Sequence, residues 1–254
     1  MSTNSTNSMD ELTRIETAHR CILPSTSREL DLLREAVQTY HVELDNILDV
    51  GCGVGHVLEV LQDLGAKGIG LDLNKTLISW LKNKLPNYSF IHEDFRDFYP
   101  WSSYSLITMM AVLEHVKEDR KFLRKAFDLL RPGGYLIIVV PAHSKQYCKH
   151  DVLYGHFRRY DKEKLKWLLK SCGFVAPEIS SYGLQLLQVI NSAFIKNTEV
   201  ACQATVKSAF ELPNWYVKLY PIIKVGIGPY NLIQKTLKRT DCGNAYFVVS
   251  RRPQ

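Results

Sequence analysis

The chain has 254 residues, 46% of them apolar, and a formal charge of +6, values ordinary for a globular core that needs no metal or disulfide staple. Its six cysteines (Cys21, Cys52, Cys148, Cys172, Cys202, Cys242) form no C-x-x-C pair and have no histidine at zinc-ligand spacing, which argues against a disulfide framework and a metal knuckle and for a reducing compartment. The opening MSTNSTNSMDEL has neither a basic nor an apolar region, and no run reaches the length of a membrane span; the expectation is a soluble, cytoplasmic, metal-free protein whose first eight or so residues are disordered.

In chain order, TSRELDLLREAVQTYHVEL (26–44) has helical apolar spacing, with Thr26 and Glu29 placed as a capping box. NILDV (46–50) is a strand ended by glycines, HVLEVLQDLGA a helix stopped at Gly65, KGIGLDL (67–73) a strand, KTLISWLKNKL (75–85) a helix and NYSFIHEDF (87–95) a strand. YSLITMMAVLEHV (104–116) begins as a strand, EDRKFLRKAFDLL (118–130) is a helix, RPGG a turn, YLIIVVP (135–141) a strand and KEKLKWLLKSCGF (162–174) a helix. This alternation predicts an α/β fold, doubly wound, with parallel strands and crossover helices. APEISSYG (176–183) and NAYFVVSRR (244–252) complete the pattern, the latter as an antiparallel strand. Residues 184–240 carry seven Lys or Arg against two Glu, whereas 1–46 carry four Arg against eight acids. The stretch between 184 and 240 is too long for a simple connection and reads as a helical lid.

Gly51, Gly53 and Gly55 occupy the first strand-to-helix turn, where an open parallel sheet binds ligands. A dinucleotide fingerprint would need glycine at 56, where His56 stands. The pattern present is D-x-G-x-G-x-G, and Asp49 beside it suits a ligand carrying an ammonium group rather than a pyrophosphate. Asp72 at the tip of the second strand can accept from ribose hydroxyls, while Asp94 and Phe95 end the third strand, where an acid and an aromatic can meet a base. Cys52, between glycines, reads as packing rather than as a nucleophile.

The set LDVGCGVG, GLDL, EDF, AVLEHV and LLRPGGYLIIVVP, over residues 46–183, resembles the class I S-adenosylmethionine-dependent methyltransferases of the small-molecule type. The resemblance implies a Rossmann-like seven-stranded sheet in the order 3-2-1-4-5-7-6 with an inserted helical lid. The organisation expected is an N-terminal tail and helices (1–44), a cofactor-binding core (45–183), the lid (184–240) and a final core strand (241–254). The cofactor implied is S-adenosylmethionine, with S-adenosylhomocysteine as product. Asp49 and Gly51 would hold its methionine end, Asp72 the ribose, Asp94 and Phe95 the adenine, and Ala111 with Leu113 would lie beside the methionine moiety; Cys52, Gly53, Gly55 and Leu73 complete the expected cofactor-binding set.

Methyl transfer from a sulfonium needs alignment more than a base, but a hydroxyl acceptor must lose a proton, and His115, His143 and His156 all follow strand ends. Each also has a structural reading. KHDVLYGHFRRYDKEKL (149–165) crowds Arg158, Arg159, Tyr154 and Tyr160 around His156; the arginines either hold an acceptor or pair with local acids. No Asn/Asp-Pro-Pro-Tyr run and no Pro-Cys pair follow the fourth strand, which weighs against nucleic acid. The aromatic and basic residues of 209–239, with Trp215, Tyr216, Tyr220 and Tyr230, suit a covered acceptor pocket first, a membrane-headgroup contact or a dimer contact otherwise. The expected activity is O-methylation of a small molecule, a metabolite or natural product, by a monomer or homodimer. The alternatives are N-methylation, a lipid- or sugar-linked acceptor, or a non-catalytic cofactor-binding scaffold.

Overall fold

The computed structural model describes residues 3–20, 23–184, 241 and 243–254, with 217–222, 224–226, 229 and 232 from the stretch between. Seven strands form one sheet: β1 (Ile47–Val50), β2 (Gly68–Asp72), β3 (Ser89–His92), β4 (Tyr104–Met110), β5 (Leu130–Pro141), β6 (Val175–Leu184) and β7 (Gly243–Arg251), in the order β3-β2-β1-β4-β5-β7-β6. That is the order the resemblance implies. The strands from β3 to β5 run parallel, and β7 lies antiparallel between β5 and β6.

Burial on both faces explains why the central strands are continuous apolar runs. Ile47, Leu106 and Ile137 face Leu33, Leu58, Leu61 and Leu81, which come from α2 (Pro24–Thr39), α3 (His56–Asp63) and α4 (Lys75–Lys84). The next residue along each strand, Leu48, Ile107 and Ile138, faces Leu123, Ala126, Leu165 and Leu169 from α5 (Asp119–Leu129) and α7 (Lys162–Ser171). Helix α2 therefore belongs to the core itself.

Local chemistry departs from expectation in three places. Helix α2 starts at Pro24 with Leu23 as N-cap and no side-chain cap. Proline presets the first turn, and the Thr26–Glu29 box does not form; Glu29 instead accepts from the Tyr182 hydroxyl at 2.7 Å. The RPGG segment is absorbed into β5 as a bulge, Leu130 pairing with Tyr104 and Tyr135 with Leu106. The polar N-terminus, expected to be disordered, enters α1 (Thr3–Arg20), whose Ile15 packs with Val54 and Leu77. None of the described residues forms a helix long and apolar enough to cross a membrane. The lid expected over 184–240, including Trp215, Tyr216 and Tyr230, lies for the most part outside the described residues.

Candidate functional site

The carboxyl ends of β1, β2 and β4 converge on the glycine turn. Asp49 is 1% exposed; Thr108 donates its hydroxyl to Oδ1 at 2.6 Å, while Oδ2 has no partner. Burial pushes its carboxyl up to about 7, against the Thr108 bond and with a further push from Asp72. A buried acceptor without a donor is costly unless something supplies one.

The three glycines do different work. Gly51 has φ +68, and a Cβ there would lie 2.6 Å from Val112 Cγ2. Gly53 has φ +52, but a Cβ would meet only the Gly51 carbonyl oxygen at 3.9 Å, so the space it leaves is open. Gly55 packs: a Cβ would strike Leu81 of α4 at 2.6 Å. The turn is tied to β2 by the Gly51 and Cys52 amides, which donate to the Leu71 carbonyl at 2.7 and 3.0 Å. The Cys52 thiol is buried and pushed far up by desolvation, first, and by Asp49 and Asp72, which fits packing and not nucleophilic chemistry.

Asp72 accepts from the Gly53 amide at 2.9 Å and the Asn74 amide at 2.8 Å, so it is held at the lip of the turn while remaining partly exposed. Asn74 caps α4 by accepting from Thr76 and Leu77. Leu73, beside it, is 66% exposed. At the end of β3, Asp94 is engaged by Arg96, whose guanidinium and amide both donate to it and hold the carboxyl below its usual range. Phe95 is turned into the core, with its ring 4.6 Å from Phe122. The ring expected to line the adenine is therefore mostly covered by core packing, and Lys125 Nζ lies over it at 5.4 Å from the centroid. Past β4, Ala111 is exposed in the left-handed region at φ +56, a strain found mostly at functional positions. Leu113, expected beside the methionine moiety, is instead fully buried in the core.

On the other side, the turn Leu113–His115 meets the loop after β5. The Phe157 amide donates to the Glu114 carbonyl at 2.7 Å, and the rings of His115 and His156 stand edge to face at 4.7 Å. Asp151, on the short helix α6 (Lys149–Leu153), lies 3.0 Å from His156 Nδ1 and is gripped by Arg159 Nε at 2.8 and 2.9 Å. Burial would raise the Asp151 carboxyl, but Arg159, the Cys148 amide and His156 together bring it down to about 2. An ionised Asp151 places the His156 proton on Nδ1 and leaves Nε2 with its lone pair. The arginines are spent locally: Arg158 pairs with Asp119 at 2.7 Å and Arg159 with Asp151, while Tyr160 is buried against Asp119 and Leu113. Sequence reading left this choice open; the structure resolves it in favour of internal pairing. His143, the remaining candidate base, donates from Nε2 to the Gly243 carbonyl at 2.9 Å, tying the end of β5 to β7.

Sequence reading missed Glu114. It is 2% exposed, its Oε2 lacks a partner, and burial, with Glu29 and Asp151 nearby, pushes it up to about 8. It also missed α1, whose His19 Nδ1 donates to the Val54 carbonyl at 3.0 Å while His56 Nε2 donates to the His19 carbonyl at 2.8 Å, covering the glycine turn. An acid directly beside a histidine after an apolar strand was the available signal for Glu114; nothing in the polar opening signalled α1. A surface cavity of about 140 Å³, lined by Tyr40, Arg131 and Arg251 among others, lies at the opposite ends of the strands and is occupied by the Arg131 pairs with Glu43 and Asp45.

A family profile described as a methyltransferase domain matches residues 23–178. A probable S-adenosylmethionine-dependent methyltransferase of Mycolicibacterium smegmatis is 25% identical over 132 residues, 51% of this chain and 51% of that protein. A ubiquinone biosynthesis O-methyltransferase of Bradyrhizobium diazoefficiens is 31% identical over 97 residues, 36% of this chain and 38% of that protein. The chain thus spans about half, or less, of the length of the curated relatives it matches. Among solved structures, a putative sarcosine dimethylglycine methyltransferase from Galdieria sulphuraria superposes with a TM-score of 0.58 at 14% identity, covering 90% of this chain and 85% of that one. The [4+2]-cyclase SpnF does so at 0.55 and 16%, covering 88% and 80%. Likeness at these identities speaks to the fold alone.

Proposed function

The chain belongs to the methyltransferase-domain family of class I S-adenosylmethionine-dependent enzymes, and from that premise we propose that it methylates a hydroxyl of a small-molecule acceptor. The observation that carries the reading is the buried, unpartnered Asp49 Oδ2 at the start of a glycine turn in which Gly53 leaves open space. An ammonium is the donor that such an oxygen lacks, and a missing Cβ is what lets a ligand reach the main chain. S-adenosylmethionine, when bound, supplies a methyl on a sulfonium, already electrophilic enough for in-line displacement.

The chain's own residues do the remainder. Asp49 holds the ammonium, and Asp72, braced by two amides, accepts from the ribose hydroxyls. Leu73 and Ala111 offer exposed surface to the nucleoside and methionine parts. Asp94 reaches an adenine amino group with the lone pairs that Arg96 leaves. On the acceptor side His156, oriented by Asp151, presents Nε2 to the hydroxyl and receives its proton. Exposed Val152, Leu153, Tyr154 and Phe157 around His156 suit an acceptor with an apolar or aromatic body. The O-methyltransferase among the relatives supports oxygen as the atom methylated.

Calorimetry with S-adenosylmethionine, followed by a mass-shift screen of hydroxylated acceptors, tests this. Saturable binding and a product heavier by one methyl are expected. Absence of binding sinks the cofactor assignment, and binding without any methylated product leaves a scaffold.

A further inference from the structure

We propose that Glu114, His115 and His156 form a binding site for one divalent first-row transition-metal cation. One ligand atom from each of the three side chains lies within 4.8 Å of the other two. Glu114 is almost wholly buried and its Oε2 has no hydrogen-bond partner, so one oxygen of a buried carboxyl is held where the protein supplies no donor to it. A cation would satisfy it.

The histidines are already oriented for ligation. His156 engages Asp151 through Nδ1, and His115 hydrogen-bonds the backbone of Gly155. An imidazole held at one nitrogen by a carboxylate or carbonyl keeps the lone pair of the other, the arrangement that stands behind metal-bound histidines. Asp151 is itself fixed by Arg159, and the bond from the Phe157 amide to the Glu114 carbonyl clamps the loop bearing His156 to the turn bearing the other two. Two imidazoles and one carboxylate suit zinc, cobalt or manganese rather than magnesium or calcium, which prefer oxygen.

Three protein ligands leave an open position. An acceptor oxygen fits that position, and in the metal-loaded chain His156 is a ligand, so the proton-accepting role proposed for it belongs to the metal-free chain; this use rests on the proposed function, and the cation site itself does not. Sequence spacing hid the site because Glu114 and His156 are distant in the chain and are joined only by the contact between the two loops.

The test is to strip the purified chain with a chelator, dialyse it against Zn²⁺ or Co²⁺, and measure metal content and the visible absorption of Co²⁺. One cation per chain with Co²⁺ d–d bands is expected. Glu114→Gln and His115→Ala should each weaken binding at least about tenfold, and Asp151→Asn, which removes the carboxylate that orients His156 and pairs with Arg159, by roughly 10–100-fold. His115 is exposed, so its removal spares the core, and circular dichroism checks the fold of every variant. Cys148→Ser, which replaces the exposed thiol that donates to Asp151 with a hydroxyl able to make the same bond, should leave binding within about twofold and excludes the thiol as a ligand. No bound cation, or binding unaltered in both Glu114→Gln and His115→Ala, overturns the proposal. Calorimetry with S-adenosylmethionine on the same samples keeps the two readings apart: cofactor binding without metal sinks only the cation site, and Co²⁺ bands without cofactor binding sink only the preceding assignment.

Discussion

The half of the site after β1 and β2 and the half after β4 and β5 lie at the same edge of the sheet but are built by different means. The first is main chain: amides of Gly51, Cys52, Gly53 and Asn74 fix the turn and its acids, and Asp49 keeps an oxygen free. The second is a side-chain lattice in which Asp119 satisfies Arg158 and Tyr160, Asp151 satisfies Arg159, and His115, His156 and Glu114 are left beside it. Main-chain geometry positions a ligand that is the same in every turnover, whereas a lattice of side chains sets the orientation of a few reactive groups.

The sharpest way to break this division is at His156. Its replacement by alanine should lower turnover by about 10²–10⁴-fold, the usual worth of a positioned acid or base, while leaving cofactor affinity unchanged. Steady-state kinetics beside calorimetry separates the two readouts, and a normal rate would remove His156 from the acceptor side. Asp151→Asn, a positioning change, should lower kcat more than it alters KM, through the wrong imidazole tautomer.

Within the cofactor half, Gly51→Ala and Gly53→Ala should fail differently. Alanine at 51 meets both the left-handed φ and Val112, costing about 2–4 kcal/mol of stability from strain and overpacking. Alanine at 53 meets only the φ and open space, costing about 1–2 kcal/mol while its methyl occupies the cradle and removes cofactor binding. Thermal melts with and without S-adenosylmethionine decide it; equal stability losses would mean that Gly53 serves the fold alone. Smaller still is Asp72→Ala, expected to weaken cofactor binding by about 1–3 kcal/mol. An unchanged Kd would move the ribose elsewhere.

The same division governs what could be read from sequence. The succession of strands and helices and the placement of Asp49, Gly51, Gly53 and Asp72 near strand ends follow from alternation and turn chemistry, both of which are local; the strand order came only with the family resemblance. The burial of Phe95 and Leu113 was not legible, because sequence position puts a residue near a strand end but does not say which way its side chain turns; here both turn inward. His143 and the two arginines were undecidable for a related reason: their partners, Gly243, Asp119 and Asp151, are set by contacts between loops. Asp119 and Gly243 are far from them in the chain. Glu114 escaped notice because burial, not spacing, makes it unusual.

The last prediction uses pH to separate the halves with no mutation. In the free protein the Asp49 carboxyl sits at about 7, raised mainly by burial, so this group binds a proton in the folded chain at pH values where the unfolded chain has released it. Its contribution to stability is therefore present below about pH 4 and is lost as pH rises through about 7. Cofactor binding has the opposite sense, because an ammonium pairs with the ionised form. Below pH 7 the proton must be expelled first, and affinity should fall by up to about tenfold per pH unit, levelling off above pH 7. Calorimetry from about pH 5.5 to about pH 8 in buffers of differing ionisation enthalpy would record both the trend and a released proton. Asp49→Asn should flatten the profile, and a flat profile in the unaltered chain would mean that the ammonium is held by another group.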